Sequence, residues 1–268
     1  MNHTIRAGGV QFRVVPGDIE KNVQSAVHGI AGLADQGVKL AVLPELWACG
    51  FDNKNLAVHA EKTPDVLGTV RNEAVRHQMV IAGSLAEADD NGIYNTLYVM
   101  DADGTLAGRY RKTHLFTAMD EHRHFLSGDR WTVCDTSAGR LGLMICYDLR
   151  FPELCRTLVL NGADCVLVCA QWPAKRAEHW KVLLRARAIE NQVFVIGVNS
   201  CGSGAGEILY GGHSRIVSPW GDVLAAADGE KEAAIFADLD KGEMQRFRTA
   251  IPCLAERRPD VYHIKVNS

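Results

Sequence analysis

Residues 140–154 read RLGLMICYDLRFPEL, and this stretch indicates both the type of fold and a reactive position. The apolar run from Leu141 to Ile145 predicts a buried strand, and Pro152 predicts the first turn of a helix. Cys146 stands where the strand ends and the chain turns toward solvent. Most cysteines are small, buried and inert side chains, whereas a thiol at such a turn is accessible as a nucleophile.

The same alternation of strands and helices extends in both directions from this stretch. In the second half, the pattern predicts strands at 140–145, 165–170 and 193–199, helices at 152–161 and 174–190, and a hairpin around SPWG at 218–221. In the first half, it predicts strands at 5–12, 39–43 and 79–84, helices at 18–34 and 64–77, and a hairpin around DADG at 101–104. Asp18 is the predicted N-cap of the first helix, and Pro64 is predicted near the start of the second.

The same order of strands and helices occurs twice along the chain. This repeat predicts an α/β fold with two pseudo-equivalent halves. Two sheets that pack face to face, with the helices outside, give a four-layer α-β-β-α sandwich. No low-complexity segment or long linker separates the halves, so we expect residues 1–268 to form a single domain.

The amino-acid composition limits which binding partners and which cellular compartment are expected. The chain has 268 residues, of which 47% are hydrophobic, and 29 basic against 32 acidic side chains give a net charge of −3. Without a basic stripe, nucleic acid is not an expected partner. No apolar run approaches the roughly 20 residues of a membrane span, and no signal-peptide core is visible, so a cytoplasmic protein is expected. The eight cysteines include no Cys-x-x-Cys pair and are therefore predicted to be free thiols.

A second reactive position lies in AVLPELW, residues 41–47, where Glu45 follows a buried strand and a proline. Carboxylates are mostly solvated, so a glutamate flanked by Leu46 and Trp47 is unusual. Apolar neighbours raise the pKa of a carboxyl group, which suits a general base. The alternative is a surface glutamate at the start of a loop.

A third position lies in GRYRKTHLF, residues 108–116, where Lys112 follows a predicted hairpin strand. Taken alone, this lysine is typical of a solvated charge. However, Glu45, Lys112 and Cys146 all follow predicted strands, and α/β sheets gather active sites at the carboxyl ends of their strands. Together they provide a base, a cation for an oxyanion and a nucleophile.

The stretches LPELW, YRKTHLF and GLMICYDLRFPEL resemble three motifs of the nitrilase superfamily, the carbon-nitrogen hydrolases. The resemblance extends from VQF at 10–12 to RRPDVY at 257–262. It implies the αββα sandwich, a Glu–Lys–Cys triad, cleavage of a C–N bond through a thioester, and no cofactor. It also implies a homodimer or higher homo-oligomer, in which segment 248–268 is expected to reach across a partner; packing within its own subunit is the alternative.

The resemblance further implies a second active-site glutamate, which we assign to Glu121, with Glu153 as the alternative. Glu121 is expected to orient Lys112 or the substrate amide. The backbone N–H of Tyr147 is expected to hold the oxyanion together with Lys112. A metal is not expected, because His122 and His124 have no third ligand at a suitable spacing.

Three further stretches, at 171–192, 211–224 and 251–262, resemble the omega-amidase branch, which deamidates 2-oxoglutaramate and 2-oxosuccinamate. The resemblance implies a small-molecule partner, the monoamide of a short dicarboxylic acid. Its free carboxylate needs a cation, for which Arg150 and Arg176 are candidates, and Trp172 is expected near the active site. Either arginine has a structural alternative, namely pairing with Glu153 or Glu178.

Other functions remain open from the sequence. Nitrile hydrolysis and N-carbamoyl hydrolysis use the same triad as amide hydrolysis, and fold analogy alone does not choose among them. An alternative of another class is a non-catalytic interaction protein that keeps the sandwich fold.

Overall fold

A computed structural model describes residues 4–204, 206 and 208–262 of the chain. It contains two six-stranded sheets, a two-stranded ribbon and five α-helices within that range. The elements of the first half are β1 (Thr4–Gln11), α1 (Ile19–Asp35), β2 (Leu40–Val42), α2 (Leu56–His77), β3 (Val80–Asp89), β4 (Gly92–Met100) and β5 (Leu106–Arg111). Those of the second half are β6 (Val133–Thr136), β7 (Gly139–Ile145), α3 (Pro152–Leu160), β8 (Cys165–Ala170), α4 (Ala177–Asn191), β9 (Phe194–Asn199), β10 (Cys201–Ser203), β11 (Leu209–Gly211), β12 (Arg215–Val217), β13 (Val223–Ala226), β14 (Ala233–Asp240) and α5 (Lys241–Ala250).

The two six-stranded sheets have matching topologies, which confirms the two pseudo-equivalent halves. The first sheet has the order β14-β1-β2-β3-β4-β5 and the second the order β6-β7-β8-β9-β12-β13. In each, three parallel strands lie in the centre and antiparallel strands complete both sides. The C-terminal strand β14 belongs to the first sheet, so the chain returns to its starting sheet after building the second one.

Side-chain alternation along the strands produces the layers. In β2, Leu40 and Val42 belong to the same buried cluster as Leu143 of the second sheet, which places them between the sheets. Ala41, between them, packs in a different cluster with Ile30 of α1 and residues of α2. The central strands are therefore apolar on both faces, and the predicted helix-sheet-sheet-helix order is confirmed.

Helix α1 begins directly after Asp18, its predicted N-cap. Asp18 accepts a hydrogen bond from the backbone N–H of Lys21 at 3.1 Å, which satisfies one of the unpaired donors of the first turn. Ala26, Ile30 and Leu33 are buried along one face of the helix, as the spacing predicts.

Helix α2 starts eight residues before the predicted position at Pro64, so that prediction was wrong. Pro64 lies inside the helix, where its missing N–H leaves one carbonyl of the preceding turn without a helical partner. The turns before it are nevertheless anchored, because Leu56 and Ala60 are buried and the Thr63 hydroxyl donates to the Ala86 carbonyl at 2.5 Å. Tertiary packing thus overrides the usual helix-start position of proline.

Both predicted hairpins are present. The turn at DADG joins β4 and β5, and the turn at SPWG joins β12 and β13. The predicted helix at 174–190 is a short 3-10 turn, Ala174–Arg176, followed by α4. None of the helices in the described ranges has the length and apolar character required to cross a bilayer.

The directions of the strands bring the segments that contain the predicted site residues to the same edge of the two sheets. The parallel strands β2, β7 and β8 end beside Glu45, Cys146 and Gln171 respectively. Strand β5 is antiparallel to β4, which is antiparallel to β3, so β5 runs in the direction of β3 and delivers Lys112 to the same edge of the first sheet.

The contact between α4 and β9 allows a test of the packing. At Gly197, a Cβ atom would lie 2.5 and 2.7 Å from the two methyl carbons of Leu184 and 2.9 Å from the ring of Trp180. We expect Gly197→Ala to lower the free energy of unfolding by about 1–3 kcal/mol through overpacking, measured by urea denaturation. Gly32→Ala is the control: its Cβ would meet nothing within 4 Å in α1, so we expect about 0.5–1 kcal/mol of added stability. An unchanged or raised stability for Gly197→Ala would contradict this packing.

Candidate active site

The carboxylate of Glu45 is completely buried and hydrogen-bonded on both oxygens. Asn95 Nδ2 donates to Oε1, and the backbone N–H of Gln171 donates to Oε2, each at 2.8 Å. Burial raises the pKa of Glu45, and the positive charge of Lys112 only partly opposes that rise. Glu45 is buried, as the sequence predicts, and a carboxylate with a raised pKa is suited to accept a proton.

Lys112 follows β5 directly and is 1% exposed. Its Nζ lies 2.8 Å from Oε1 of Glu45 and 2.7 and 2.9 Å from the two carboxylate oxygens of Glu121. Burial lowers the pKa of Lys112, but the nearby negative charges of Glu121 and Glu45 outweigh burial and raise it well above its usual value. The side chain is therefore a permanent ammonium, held by two carboxylates rather than solvated.

Glu121 lies in a short 3-10 turn, Glu121–Arg123, and is 3% exposed. Its Oε2 also accepts the backbone N–H of Phe116 at 2.7 Å, so the carboxylate is anchored on two sides. Glu153, the alternative from the sequence, is exposed at the start of α3. The structure thus brings Glu121, and not Glu153, to Lys112.

Cys146 is in the left-handed region of backbone conformation, with φ of 47°, at the first position of a 3-10 turn, Cys146–Arg150. This region is strained for residues other than glycine. The side chain is half-buried, and burial together with the negative charge of Glu45 raises the pKa of the thiol well above its usual value. The resting group is thus a neutral thiol beside Glu45, which makes transfer of its proton to that carboxylate the way to generate a thiolate.

The other seven cysteines do not share this position. Cys253 is exposed, and the remaining six are buried: Cys49, Cys134, Cys155, Cys165, Cys169 and Cys201. Burial raises the pKa of Cys155 to about 12, which keeps its thiol protonated and unreactive.

A cavity of about 340 Å³ opens onto these groups. Its polar wall contains Glu45, Lys112, Glu121, Cys146 and Gln171, and most of the remaining wall is apolar, with contributions from Phe51, Phe116, Ala118, Met119, Trp172, Pro173 and Ile208. A small, mostly apolar cleft with a few converging polar groups is typical of a site for a small molecule.

Arg150 and Arg176 both line this cavity, as does Trp172. The Arg150 guanidinium lies 4.7 Å from the ring centroid of Trp172, and that of Arg176 lies 5.3 Å from the ring centroid of Phe116. Burial lowers the pKa of Arg150, and the positive charge of Arg176 contributes to the decrease, so the two cations lie near one another.

The alternative pairings considered for the two arginines do not form. Glu178 pairs with Lys181, and Glu153 is exposed without a basic partner in the part of the chain that the structure describes. Within that part, neither cavity arginine lies within 4.0 Å of a carboxylate oxygen. Two cations without a carboxylate partner are therefore available to an anionic ligand.

Tyr147 occupies the second position of the 3-10 turn after Cys146. The backbone N–H groups in the first turn of a helix have no acceptor within the helix, which leaves this N–H available beside the thiol. The side chain lines the cavity, and its ring centroid lies 4.7 Å from that of Phe116 and 5.3 Å from that of Phe151.

The sequence reasoning missed Asn95 and Gln171, which fix the Glu45 carboxylate. Gln171 follows a fully buried strand, as Glu45 does, so the same signal was available for it. Asn95 lies inside β4 and is completely buried, but a single polar side chain in a strand does not show which group it faces.

The arrangement contains a thiol, a base and a fixed ammonium around one cavity, which is the requirement for nucleophilic attack on a carbonyl carbon. Among the described residues, no three metal-ligating side chains form a cluster, and His122 and His124 are exposed.

Comparisons with known proteins agree with this chemistry. The chain is 36% identical to a 2-oxoglutaramate amidase of Bacillus subtilis (strain 168), over 94% of this chain and 97% of that protein. It is 33% identical to an omega-amidase of Homo sapiens, over 91% and 92% of the two chains. A solved variant of an amidase from Nesterenkonia sp. AN1, with the acetamide moiety of fluoroacetamide added covalently at its active site cysteine, superimposes with a TM-score of 0.85, 26% identity and coverage of 96% and 95%.

The family model for carbon-nitrogen hydrolases matches residues 6–249, which include all the residues that line the cavity. The three sequence motifs and the sandwich fold predicted the same assignment. The chain therefore belongs to the carbon-nitrogen hydrolase family.

Proposed function

We propose that this protein is an omega-amidase, a thiol hydrolase that releases ammonia from the terminal amide of a short dicarboxylic acid monoamide. The names of the two relatives, 2-oxoglutaramate amidase and omega-amidase, support this substrate class. The observation on which the chemistry rests is the Lys112 ammonium, held between Glu45 and Glu121 in the cavity that Cys146 also lines.

Acylation begins when Glu45 accepts the proton of the Cys146 thiol. The thiolate attacks the amide carbon, and the C=O electron pair moves to oxygen, where the Lys112 ammonium and the Tyr147 backbone N–H stabilise the oxyanion. The oxyanion then re-forms the carbonyl and the C–N bond breaks. Glu45 returns its proton to the departing nitrogen, so ammonia leaves and a thioester to Cys146 remains.

Deacylation uses the same groups, with water as the nucleophile and the Cys146 sulfur as the leaving group. Glu45, ionised again, accepts a proton from a water molecule, and the resulting hydroxide attacks the thioester carbon. The second oxyanion occupies the same donors, the C–S bond breaks, and the Cys146 sulfur recovers its proton from Glu45. Glu121 keeps Lys112 in place through both steps, as its two contacts of 2.7 and 2.9 Å indicate.

The free carboxylate of the substrate is assigned to Arg150 and Arg176. Burying a carboxylate without a cation is costly, and these two guanidiniums line the cavity without a carboxylate partner in the described ranges. The ring of Trp172 lies against Arg150 and helps to hold its guanidinium in place. A nitrile or a neutral amide leaves both cations unpaired, which favours an anionic monoamide.

We also propose that the protein works as a homodimer in the cytoplasm. All eight cysteines are free thiols, which suits a reducing compartment. In the predicted arm, Ile251 is 49%, Val261 65% and Tyr262 54% exposed, a set of apolar side chains that a partner would cover. Leu254 instead packs against the core of its own subunit, and residues 263–268 of the arm lie outside the described residues.

The nucleophile assignment is tested with Cys146→Ala. We expect ammonia release from 2-oxoglutaramate to fall below detection, because Cys146 is the one cysteine among the described residues that line the cavity, while the circular dichroism spectrum stays unchanged. In the unmodified protein, acid quenching during turnover followed by peptide mass spectrometry should find the acyl group on Cys146. Cys253→Ala, which removes the exposed thiol, is the control and should keep full activity. Turnover by Cys146→Ala, or an acyl group on a different residue, would refute the thiol mechanism.

The carboxylate assignment is tested with Arg150→Gln and Arg176→Gln. We expect each change to raise KM for 2-oxoglutaramate by about ten- to a hundredfold, the range of a lost hydrogen bond to a charged group. KM for butyramide, which lacks the carboxylate, should stay within about twofold. Lys175→Ala, an exposed cation beside Arg176, is the control. Equal efficiency of the unmodified protein on both amides, or a preference for a nitrile or a carbamoyl amino acid, would contradict the omega-amidase proposal.

The assembly is tested by size-exclusion chromatography with light scattering. We expect a mass of twice the 29.3 kDa chain at micromolar concentration, and the double substitution Val261→Glu and Tyr262→Glu should shift it toward the monomer. Val58→Glu, a change at an equally exposed apolar side chain of α2, should leave the dimer intact. A monomer in the unmodified protein would rule the dimer out.

A further inference from the structure

Asp148 is a buried carboxylate that the proposed mechanism does not use. It lies two residues after Cys146 and is completely inaccessible to solvent. Its Oδ2 accepts the backbone N–H of Ile145 at 2.9 Å and the hydroxyl of Tyr110 at 2.8 Å. Its Oδ1 accepts the backbone N–H of His114 at 3.1 Å and lies 2.8 Å from Nδ1 of the same histidine.

These contacts close the turn that contains the nucleophile. Cys146 has a φ of 47°, a conformation that is strained for a non-glycine residue and persists only where the surroundings enforce it. The bond from Ile145 N–H to Asp148 spans the cysteine from one side of the turn to the other. Because the backbone at this position sets the direction of the side chain, the same bond fixes where the sulfur points.

The same carboxylate also holds both flanks of the oxyanion cation. Tyr110 and His114 lie two residues before and two residues after Lys112, and both contact Asp148. The ring of His114 further stacks on Phe151, which ends the nucleophile turn, with centroids 3.7 Å apart and planes at 8°. One buried group therefore connects the segment of Cys146 with that of Lys112.

Asp148 contacts the segments that contain Cys146 and Lys112 but does not line the cavity itself. It is not among the described residues that line the cavity, so it does not reach a bound substrate. Nor does a lysine or arginine of the described chain lie within 4.0 Å of it, and His114 is the one basic partner found there. Burying a carboxylate with so little compensating charge is energetically unfavourable. What the contacts of Asp148 provide is a fixed geometry between the two chain segments.

We propose that Asp148 is a positioning residue of the hydrolysis, which holds the Cys146 sulfur and the Lys112 ammonium at the separation that attack on the amide carbon requires. The proposal rests on the thiol mechanism given above and adds to it the group that sets its geometry. Asp148→Asn is the test, because the amide has the same size but replaces an acceptor oxygen with a donor that faces N–H groups.

Two measurements are made on this variant. We expect kcat for 2-oxoglutaramate to fall at least a hundredfold with KM within about threefold, since binding groups stay in place while reacting groups shift. The rate of Cys146 alkylation by iodoacetamide should change at least fivefold, because the sulfur moves relative to Glu45. This second rate needs no amide substrate. Should the unmodified protein fail to release ammonia from 2-oxoglutaramate, the proposed function fails while the alkylation rates still decide the role of Asp148.

Glu87→Gln is the matched control for stability. Glu87 is also a buried carboxylate, 7% exposed, bonded to Arg109, Arg111 and Thr96 but outside the cavity wall formed by the described residues. We expect this variant to lose stability and keep kcat within about threefold. If Asp148→Asn keeps kcat and the alkylation rate within threefold, or if both variants lose kcat equally, Asp148 has only a structural role and the proposal is overturned.

A second variant covers the case in which Asp148→Asn does not fold. The double substitution Tyr110→Phe and His114→Ala removes two of the four contacts and leaves the carboxylate and both backbone donors in place. We expect kcat to fall at least tenfold and KM to stay within threefold. An unchanged kcat in this variant overturns the proposal as well.

Discussion

The buried ammonium of Lys112 is the constraint on which the rest of the site depends. An amine at 1% exposure, with two carboxylates at 2.7–2.8 Å, is stable only as a closed ion cluster, because each charge alone would be too costly to bury. Two carboxylates and one ammonium give a net charge of −1, so ionising Cys146 alone would add a second negative charge beside this buried cluster. Moving the thiol proton to Glu45 avoids this, since the net charge stays the same.

That cluster depends on both sheets. Lys112, Glu45 and Asn95 belong to the first half of the chain, whereas Cys146 and Gln171 belong to the second. Gln171 joins the halves twice, because its backbone N–H donates to the Glu45 carboxylate and its side-chain Nε2 donates to the Glu45 carbonyl, both at 2.8 Å. The packing of one sheet on the other is thus a condition for aligning base and nucleophile, as well as a source of stability.

The duplicated topology explains how these groups meet. Parallel strands at the centre of both sheets end at a common edge. The apolar strands β2, β7 and β8 are each followed by a residue of the site at that edge. The two halves do not supply the same residues, however: the first provides acid–base and cationic groups, and the second provides the thiol and the backbone donors. The cavity arginines also come from the second half: in the chain, Arg150 precedes α3 and Arg176 precedes α4.

The sequence by itself determined the alternation of strands and helices within each half and the sandwich, because strand and helix periodicities are local signals, but it did not predict β6, β14 or α5. It singled out Glu45, Lys112 and Cys146 through their positions after strands and through the three motifs. It did not determine that α2 continues through Pro64, since burial of Leu56 and Ala60 outweighs the lost backbone bond only after the helix is packed. Only the tertiary structure showed that Glu121, which the resemblance had favoured over Glu153, contacts Lys112, and that neither cavity arginine has a carboxylate partner among the described residues. It also joined Asn95, Gln171 and Asp148 to the site. Apart from the bond between Asp148 and Ile145, those contacts link residues 9 to 126 positions apart, and which distant groups meet is decided by the packing of the two sheets.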